Sequence, residues 1–209
     1  SKTKNRILFR ADGNNEIGLG HIYRCLAIAE RLEEDFISYF VIRNPSDEIK
    51  KSIAAIANLI EIGERKYKDY LAEADDLIKI AQELEIDIIT FDGYYFNTAY
   101  QLTIKNRCKA VLVSIDDDQL FHYESDIVIN HANGIKHDKF SKSIGVRLFL
   151  GYDYLLLRKP FIELMKDGRE ITEITSVLIC FGGADPNDLT STTVKCLNHI
   201  NEIKKITVL

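Results

Sequence analysis

Short apolar runs alternate with helix-patterned stretches along most of this chain, and that rhythm constrains its fold more than any other feature. The runs at 7–10, 36–42, 59–62, 87–91, 110–115 and 126–129 read as strands, being brief, rich in β-branched and aromatic residues, and bounded by turn formers. The run at 36–42 is almost continuously apolar, as in a strand buried on both faces. Between the first two runs, Ile22, Leu26, Ile28, Ala29 and Leu32 recur at helical spacing. Ser46 suits the N-cap of a charged helix, 70–84 reads as a longer helix and 98–107 as another, while 147–150 adds a late strand. Strands separated by helices pair in parallel through right-handed crossovers. The expected class is therefore α/β, with a Rossmann-like parallel sheet.

Near residue 168 the text changes. Residues 167–170 (D-G-R-E) read as a linker, 177–181 (V-L-I-C-F) as a strand, 189–198 as a helix and 206–209 as part of another strand. One helix and two strands cannot bury a core by themselves. The expected organisation is thus a first domain over 1–167, with 168–209 as the opening of a truncated second domain whose remainder belongs to the same chain.

A net charge of −5 and a pI near 5.6, with no Lys/Arg run, argue against a nucleic-acid partner. No apolar stretch approaches the roughly 18 residues of a membrane span, so membrane insertion is not expected. The opening S-K-T-K-N-R leads directly into a strand without a secretory h-region, consistent with a cytoplasmic location. Cys25, Cys108, Cys180 and Cys196 are scattered without metal-site spacing, and Cys25 and Cys180, lying in apolar runs, are expected to be buried thiols.

The chemistry concentrates in 10–24, R-A-D-G-N-N-E-I-G-L-G-H-I-Y-R, a strand end, a glycine-rich loop and a helix start. Such a junction offers unpaired N–H groups and the positive end of a helix dipole to an anion or a sugar oxygen. It is not a dinucleotide fingerprint, because Tyr23 replaces the third glycine and the second strand ends at Arg43 rather than an acid. Gly13 and Gly18 have Walker A spacing, but Leu19 and Gly20 replace its Lys and Ser/Thr. What remains is G-x-G-H, with His21 at the mouth.

Asp12, Asp92, Asp116 and Asp117 fall at carboxyl ends of expected strands, where parallel sheets bind ligands. The run Asp116–Asp118 reads either as a divalent-metal site or, more simply, as a solvated acidic loop. Arg24 suits an anion or, preferably, a neighbouring acid. His122, His131, His137 and His199 lack ligand spacing and read as incidental. Asp185 and Asn187 follow the second glycine pair, Gly182-Gly183, and suit the capping of the next helix or the binding of a ligand.

The segment D-G-N-N-E-I-G-L-G-H-I-Y-R resembles the signature loop of the nucleotide-sugar hydrolases of pseudaminic acid biosynthesis, and spore coat polysaccharide biosynthesis proteins are similar. The resemblance continues in order through I-I-T-F-D-G-Y-Y (88–95), V-S-I-D-D-D (113–118), D-I-V-I-N (126–130), G-Y-D-Y-L-L-L-R (151–158) and I-C-F-G-G-A-D-P-N-D-L (179–189). It implies a GT-B arrangement, two Rossmann-like domains across a cleft as in the peptidoglycan N-acetylglucosaminyltransferase, of which this chain would hold the N-terminal half. It implies release of UDP from a UDP-diacetamido-trideoxy-hexose by water, without cofactor or metal, and with His21 as base in an inverting attack. A neutral imidazole able to take a proton suits a helix N-terminus.

The resemblance further implies sugar-side contacts at Asp12, Gly18, Gly20, Asp92, Tyr94, Asn130 and Arg158. Diphosphate contacts would fall at Gly182, Gly183, Asp185 and Asn187. This chain departs from the pattern at Gly93, where a member of the family carries a histidine directly after the aspartate. Two other functions use the same loop: a GT-B glycosyltransferase, in which an acceptor hydroxyl replaces water, and a non-catalytic nucleotide-sugar-binding subunit.

Overall fold

The structure of the protein, a computed structural model, describes residues 4–14, 17–63, 70–166, 168, 170–182 and 185–209. β1 (Asn5–Ala11) is the axis of the main sheet. The chain leaves it through α1 (Gly20–Leu32), β2 (Phe36–Arg43), α2 (Asp47–Ala54) and β3 (Asn58–Ile62). It then crosses back through α3 (Tyr70–Glu83) to β4 (Ile88–Asp92) and continues through α4 (Thr98–Lys105), β5 (Val111–Ile115), β6 (Ile127–Asn130) and β7 (Arg147–Leu150). The seven strands lie in the order β3-β2-β1-β4-β5-β6-β7, every neighbouring pair parallel. The winding therefore reverses between β1 and β4, and the crevice outside their carboxyl ends is where such sheets bind ligands.

Alternation along β1 divides the core between the two faces of the sheet. Ile7, Phe9 and Ala11 pack with Ile22, Leu26, Phe40, Ile42 and Ile53 on one face. Leu8 packs with Val41, Leu77, Ile78, Ile89, Phe91, Tyr100 and Leu112 on the other. Both faces carry apolar side chains, which is why the strands read as runs rather than as polar–apolar alternation.

The α/β class and the parallel sheet are as the sequence rhythm predicts. Two connections lack a crossover helix among the described residues: β5 to β6, and β6 to β7, which holds only a 3₁₀ turn at His137–Lys139. The short α5 (Lys159–Leu164), with Pro160 in its first turn, is absent from the sequence reading. Ser46 caps α2 through a long bond from the Ile49 amide at 3.4 Å, whereas Asn97 caps α4 more tightly, from the Tyr100 amide at 3.0 Å. Asn97→Ala is expected to cost about 1 kcal/mol and Ser46→Ala less, read as shifts in the urea unfolding midpoint.

β8 (Ser176–Ile179), α6 (Leu189–Leu197) and β9 (Lys205–Val208) form a separate two-stranded parallel sheet with its helix. Cys25 is enclosed as expected, but Cys180 is exposed. The correction follows from its position just past β8, in a sheet of two strands that is too small to cover it. Among the described residues no helix is long and apolar enough to cross a membrane.

Candidate functional site

The loop after β1 folds back on itself before α1 begins. The Gly18 amide donates to the Asn14 carbonyl at 2.8 Å, and the Ile17 amide to the Asn14 side chain at 2.9 Å. Gly18 takes φ +78°, a left-handed conformation open to glycine at little cost. A Cβ on Gly13 would meet the Ile22 side chain at 2.5 Å and the Gly18 carbonyl at 2.9 Å, so this glycine is demanded by close packing. α1 then starts at Gly20 with Leu19 as N-cap and no side-chain cap, leaving its first amides available at the mouth of the crevice.

His21, in the first turn of α1, reaches Asp92 at the end of β4. Its Nδ1 lies 2.7 Å from Asp92 Oδ1, and both side chains are buried. Arg24, one turn further along α1, donates from Nε to Asp92 Oδ2 at 2.7 Å, from one terminal nitrogen to Asp92 Oδ1 at 2.7 Å, and from the other to Asp117 Oδ2 at 2.7 Å. That guanidinium also lies 2.8 Å from His21 Nδ1. Guanidinium nitrogens only donate and an ionised carboxylate only accepts. The consistent arrangement puts a proton on Nδ1, shared towards Asp92, with Arg24 and His21 as two donors converging on the same oxygen. Nε2 of a neutral His21 then carries the lone pair.

Burial alone would lower the Arg24 pKa, but hydrogen bonds and charge from Asp92 and Asp117 raise it above the ordinary value, so Arg24 stays charged. Tyr94 stacks edge-on against the His21 ring, with centroids 4.8 Å apart, and donates to Asp117 at 3.3 Å. His21, Asp92, Tyr94, Asp116, Asp117 and Tyr123 help line a small cavity of about 20 Å³, enough for about one water.

A second, deeper network supports the loop. Arg10 is fully buried within β1 and forks onto two carboxylates, Asp12 (2.6 and 2.8 Å) and Glu73 of α3 (2.6 and 3.1 Å). Asp12 also accepts from the Tyr95 hydroxyl at 2.5 Å and the Arg43 amide at 2.9 Å. Glu73 accepts from Tyr100 at 3.2 Å and pairs with Arg43. Burial pushes the Asp12 carboxyl up, but the hydrogen bonds and charge of Arg10 pull it below its ordinary value.

The remaining residues singled out by sequence fall into different settings. Asn130 is fully buried and ties Asp116 (2.7 Å) to the Ala132 amide (2.9 Å). Asp116 also accepts from Tyr123 and from the Gln119 amide, so this acid braces its own loop. Among the described residues no group of three His, Cys, Asp or Glu side chains is placed to hold a metal. Arg158 pairs with Glu30, Nε to Oε1 at 2.6 Å, and lies over the Tyr23 ring. It borders a groove of about 440 Å³ with Gly20, Arg24 and Phe161. Asp185 accepts from the Leu189 and Thr190 amides at 2.9 Å each, which is the capping alternative. Gly182 has φ +77°, Asn187 lies in the turn before α6, and Gly183 lies outside the described residues. Sequence reasoning missed Arg10 and Glu73. The available signal was an arginine inside an otherwise apolar strand, which must find carboxylates if that strand is buried.

The strand order, the glycine loop and the histidine–aspartate pair at the switch point define a Rossmann-like domain of the GT-B kind. Among solved structures, a glycosyltransferase from Rickettsia africae superposes with TM-score 0.58 at 10% identity, covering 99% of this chain and 68% of that one. An enzyme described as a putative UDP-N-acetylglucosamine 2-epimerase, from Listeria monocytogenes, does so with TM-score 0.56 at 11% identity, covering 99% and 63%.

In sequence the chain is similar over most of its length to the UDP-2,4-diacetamido-2,4,6-trideoxy-beta-L-altropyranose hydrolase of Campylobacter jejuni, with 25% identity over 187 residues. It is similar also to a spore coat polysaccharide biosynthesis protein of Bacillus subtilis, with 24% identity over 196 residues. An uncharacterised protein of Methanocaldococcus jannaschii is 27% identical over 191 residues. These alignments cover 88%, 93% and 88% of this chain, but only 62%, 55% and 38% of the respective relatives. No family model matches the chain.

Proposed function

We propose that the full-length protein is a nucleotide-sugar hydrolase that releases UDP from a UDP-diacetamido-trideoxy-hexose. The observation that carries this reading is the His21–Asp92 pair at the uncapped start of α1. With Nδ1–H directed to Asp92, Nε2 is the acceptor, and it takes one proton from a water as that oxygen bonds to the anomeric carbon. The bond from that carbon to the diphosphate oxygen breaks, and its electron pair leaves with UDP. Attack opposite the leaving group inverts the anomeric centre. Asp12, Gly18, Gly20 and Tyr94 serve the sugar side from the loop and from the β4 end. Asn130 and Arg158 act through the loops they brace. The segment from 168 onward opens a second domain, in which Gly182, Gly183 and Asn187 are assigned to the diphosphate while Asp185 caps the helix that follows. The similarity to the Campylobacter hydrolase supports the choice of substrate.

The test is ³¹P and ¹H NMR of the full-length protein with UDP-2,4-diacetamido-2,4,6-trideoxy-altrose in H₂¹⁸O. UDP should appear without added acceptor, and the label should enter the sugar at C1 and not the phosphate. Turnover only with an added sugar acceptor would make the protein a transferase. Binding without any turnover would make it a carrier subunit.

A further inference from the structure

His131 follows directly on β6, whose register with β5 sets Ile129 against Ile115 and so brings residue 131 level with Asp117. Asn130, locked to Asp116 and to the Ala132 amide, fixes the backbone on which the His131 ring is carried. The ring is half-buried and interacts electrostatically with Arg24, Asp92 and Asp117, of which Arg24 and Asp92 also contact His21. Its Nδ1 is enclosed and has no hydrogen-bond partner among the described residues.

An orphaned buried N–H is rarer and costlier than an under-used acceptor. The enclosed Nδ1 is therefore the lone-pair nitrogen, and the proton sits on Nε2. Burial, then the charge of Arg24, lowers the pKa of this ring from its ordinary value against the opposing pull of Asp92 and Asp117. The ring is thus neutral near pH 7.

We propose that His131 is a second imidazole of the active site, a positioning residue whose Nε2–H donates to an oxygen of the bound sugar nucleotide. The site would then hold two imidazoles of opposite polarity: His21, proton on Nδ1 and base at Nε2, and His131, donor at Nε2. A donor of this kind holds the sugar while His21 takes the proton from water. This role rests on the hydrolase reading above, but the tautomer it requires does not.

Long-range ¹H–¹⁵N correlation on histidine-labelled full-length protein reads both rings. The expected pattern is Nε2–H at His131 and Nδ1–H at His21, with the His131 Nε2 resonance moving when UDP-2,4-diacetamido-2,4,6-trideoxy-altrose is added. In kinetics, His131→Ala should lower kcat/KM by about tenfold or more, the scale of one lost hydrogen bond in a desolvated site, chiefly through KM. His131→Gln, which can place an amide N–H in similar space, should recover most of that loss, and neither variant should shift the thermal midpoint in proportion. An Nδ1–H tautomer at His131, or equal kinetics for the alanine variant and the parent, would overturn the proposal. A moving Nε2 resonance without UDP release would retain the donor and reject the hydrolase.

Discussion

Replacing His21 with alanine is expected to lower kcat of the full-length protein by about 10²–10⁴-fold, the usual contribution of a positioned general base. Substrate affinity should stay within a few-fold, since the proposed reading assigns the nucleotide half of the substrate to other residues. Asp92→Asn should cost nearly as much although it removes no proton acceptor from the reaction. A carboxamide that turns its NH₂ towards His21 Nδ1 makes Nδ1 the acceptor, moving the ring proton to Nε2 and leaving no base where water must be activated. Arg24 donates to both Asp92 oxygens, so in either orientation the asparagine NH₂ meets a guanidinium donor, and the variant also loosens the hold on His21. Single-turnover kinetics with a binding isotherm on each variant separate the two quantities. A His21→Ala variant with parental kcat would remove the base from the mechanism and leave the pair as a structural contact.

How this pair could be foreseen shows what the sequence carried. The strand rhythm fixes a parallel sheet, and a parallel sheet places the residues after β1 and at the end of β4 at its carboxyl edge. His21 and Asp92 were therefore both legible as residues of that edge. Their contact was not, because it depends on β4 returning to lie beside β1 rather than outside β3, a choice that periodicity along the chain does not encode. The same limit hid Glu73: α3 shows an apolar stripe through Ala74, Leu77, Ile78 and Ala81, and a carboxylate beside that stripe reads as solvated until Arg10 is placed beneath it. Asp116 and Asn130 were visible as polar residues at strand ends. Only the register of β5 with β6 shows that they hydrogen-bond each other. Cys180 failed for the opposite reason, since an apolar run predicts burial only when the sheet it joins is large enough to bury it.

The largest effect on stability is expected at Glu73. Its carboxylate is almost wholly enclosed and accepts from Arg10, Tyr100 and Arg43. Removing it in Glu73→Ala leaves the fully buried Arg10 guanidinium with Asp12 alone, and Arg43 without its carboxylate. Breaking a buried pair by deleting one partner typically costs about 3–5 kcal/mol, because the remaining charge is uncompensated. For a chain of this size that corresponds to a fall in Tm of roughly 6–20 °C.

An exposed pair supplies the contrast. Asp75, on the same helix, pairs with Arg107 at the surface, both about half exposed, and Asp75→Ala should change stability by no more than about 1 kcal/mol. The Asp12 half of the network adds a pH dependence. A carboxyl titrating below its ordinary range stabilises the fold above about pH 4 and loses that contribution as the pH falls through its own lowered value. Glu73→Ala should therefore unfold at a higher pH than the parent in an acid titration, since less of the network remains to be overcome when Asp12 takes up its proton. Equal thermal and acid midpoints for Glu73→Ala and Asp75→Ala would show that the buried network contributes no more than a surface pair. The glycine loop would then owe its shape to Gly13, Gly18 and the Asn14 turn alone.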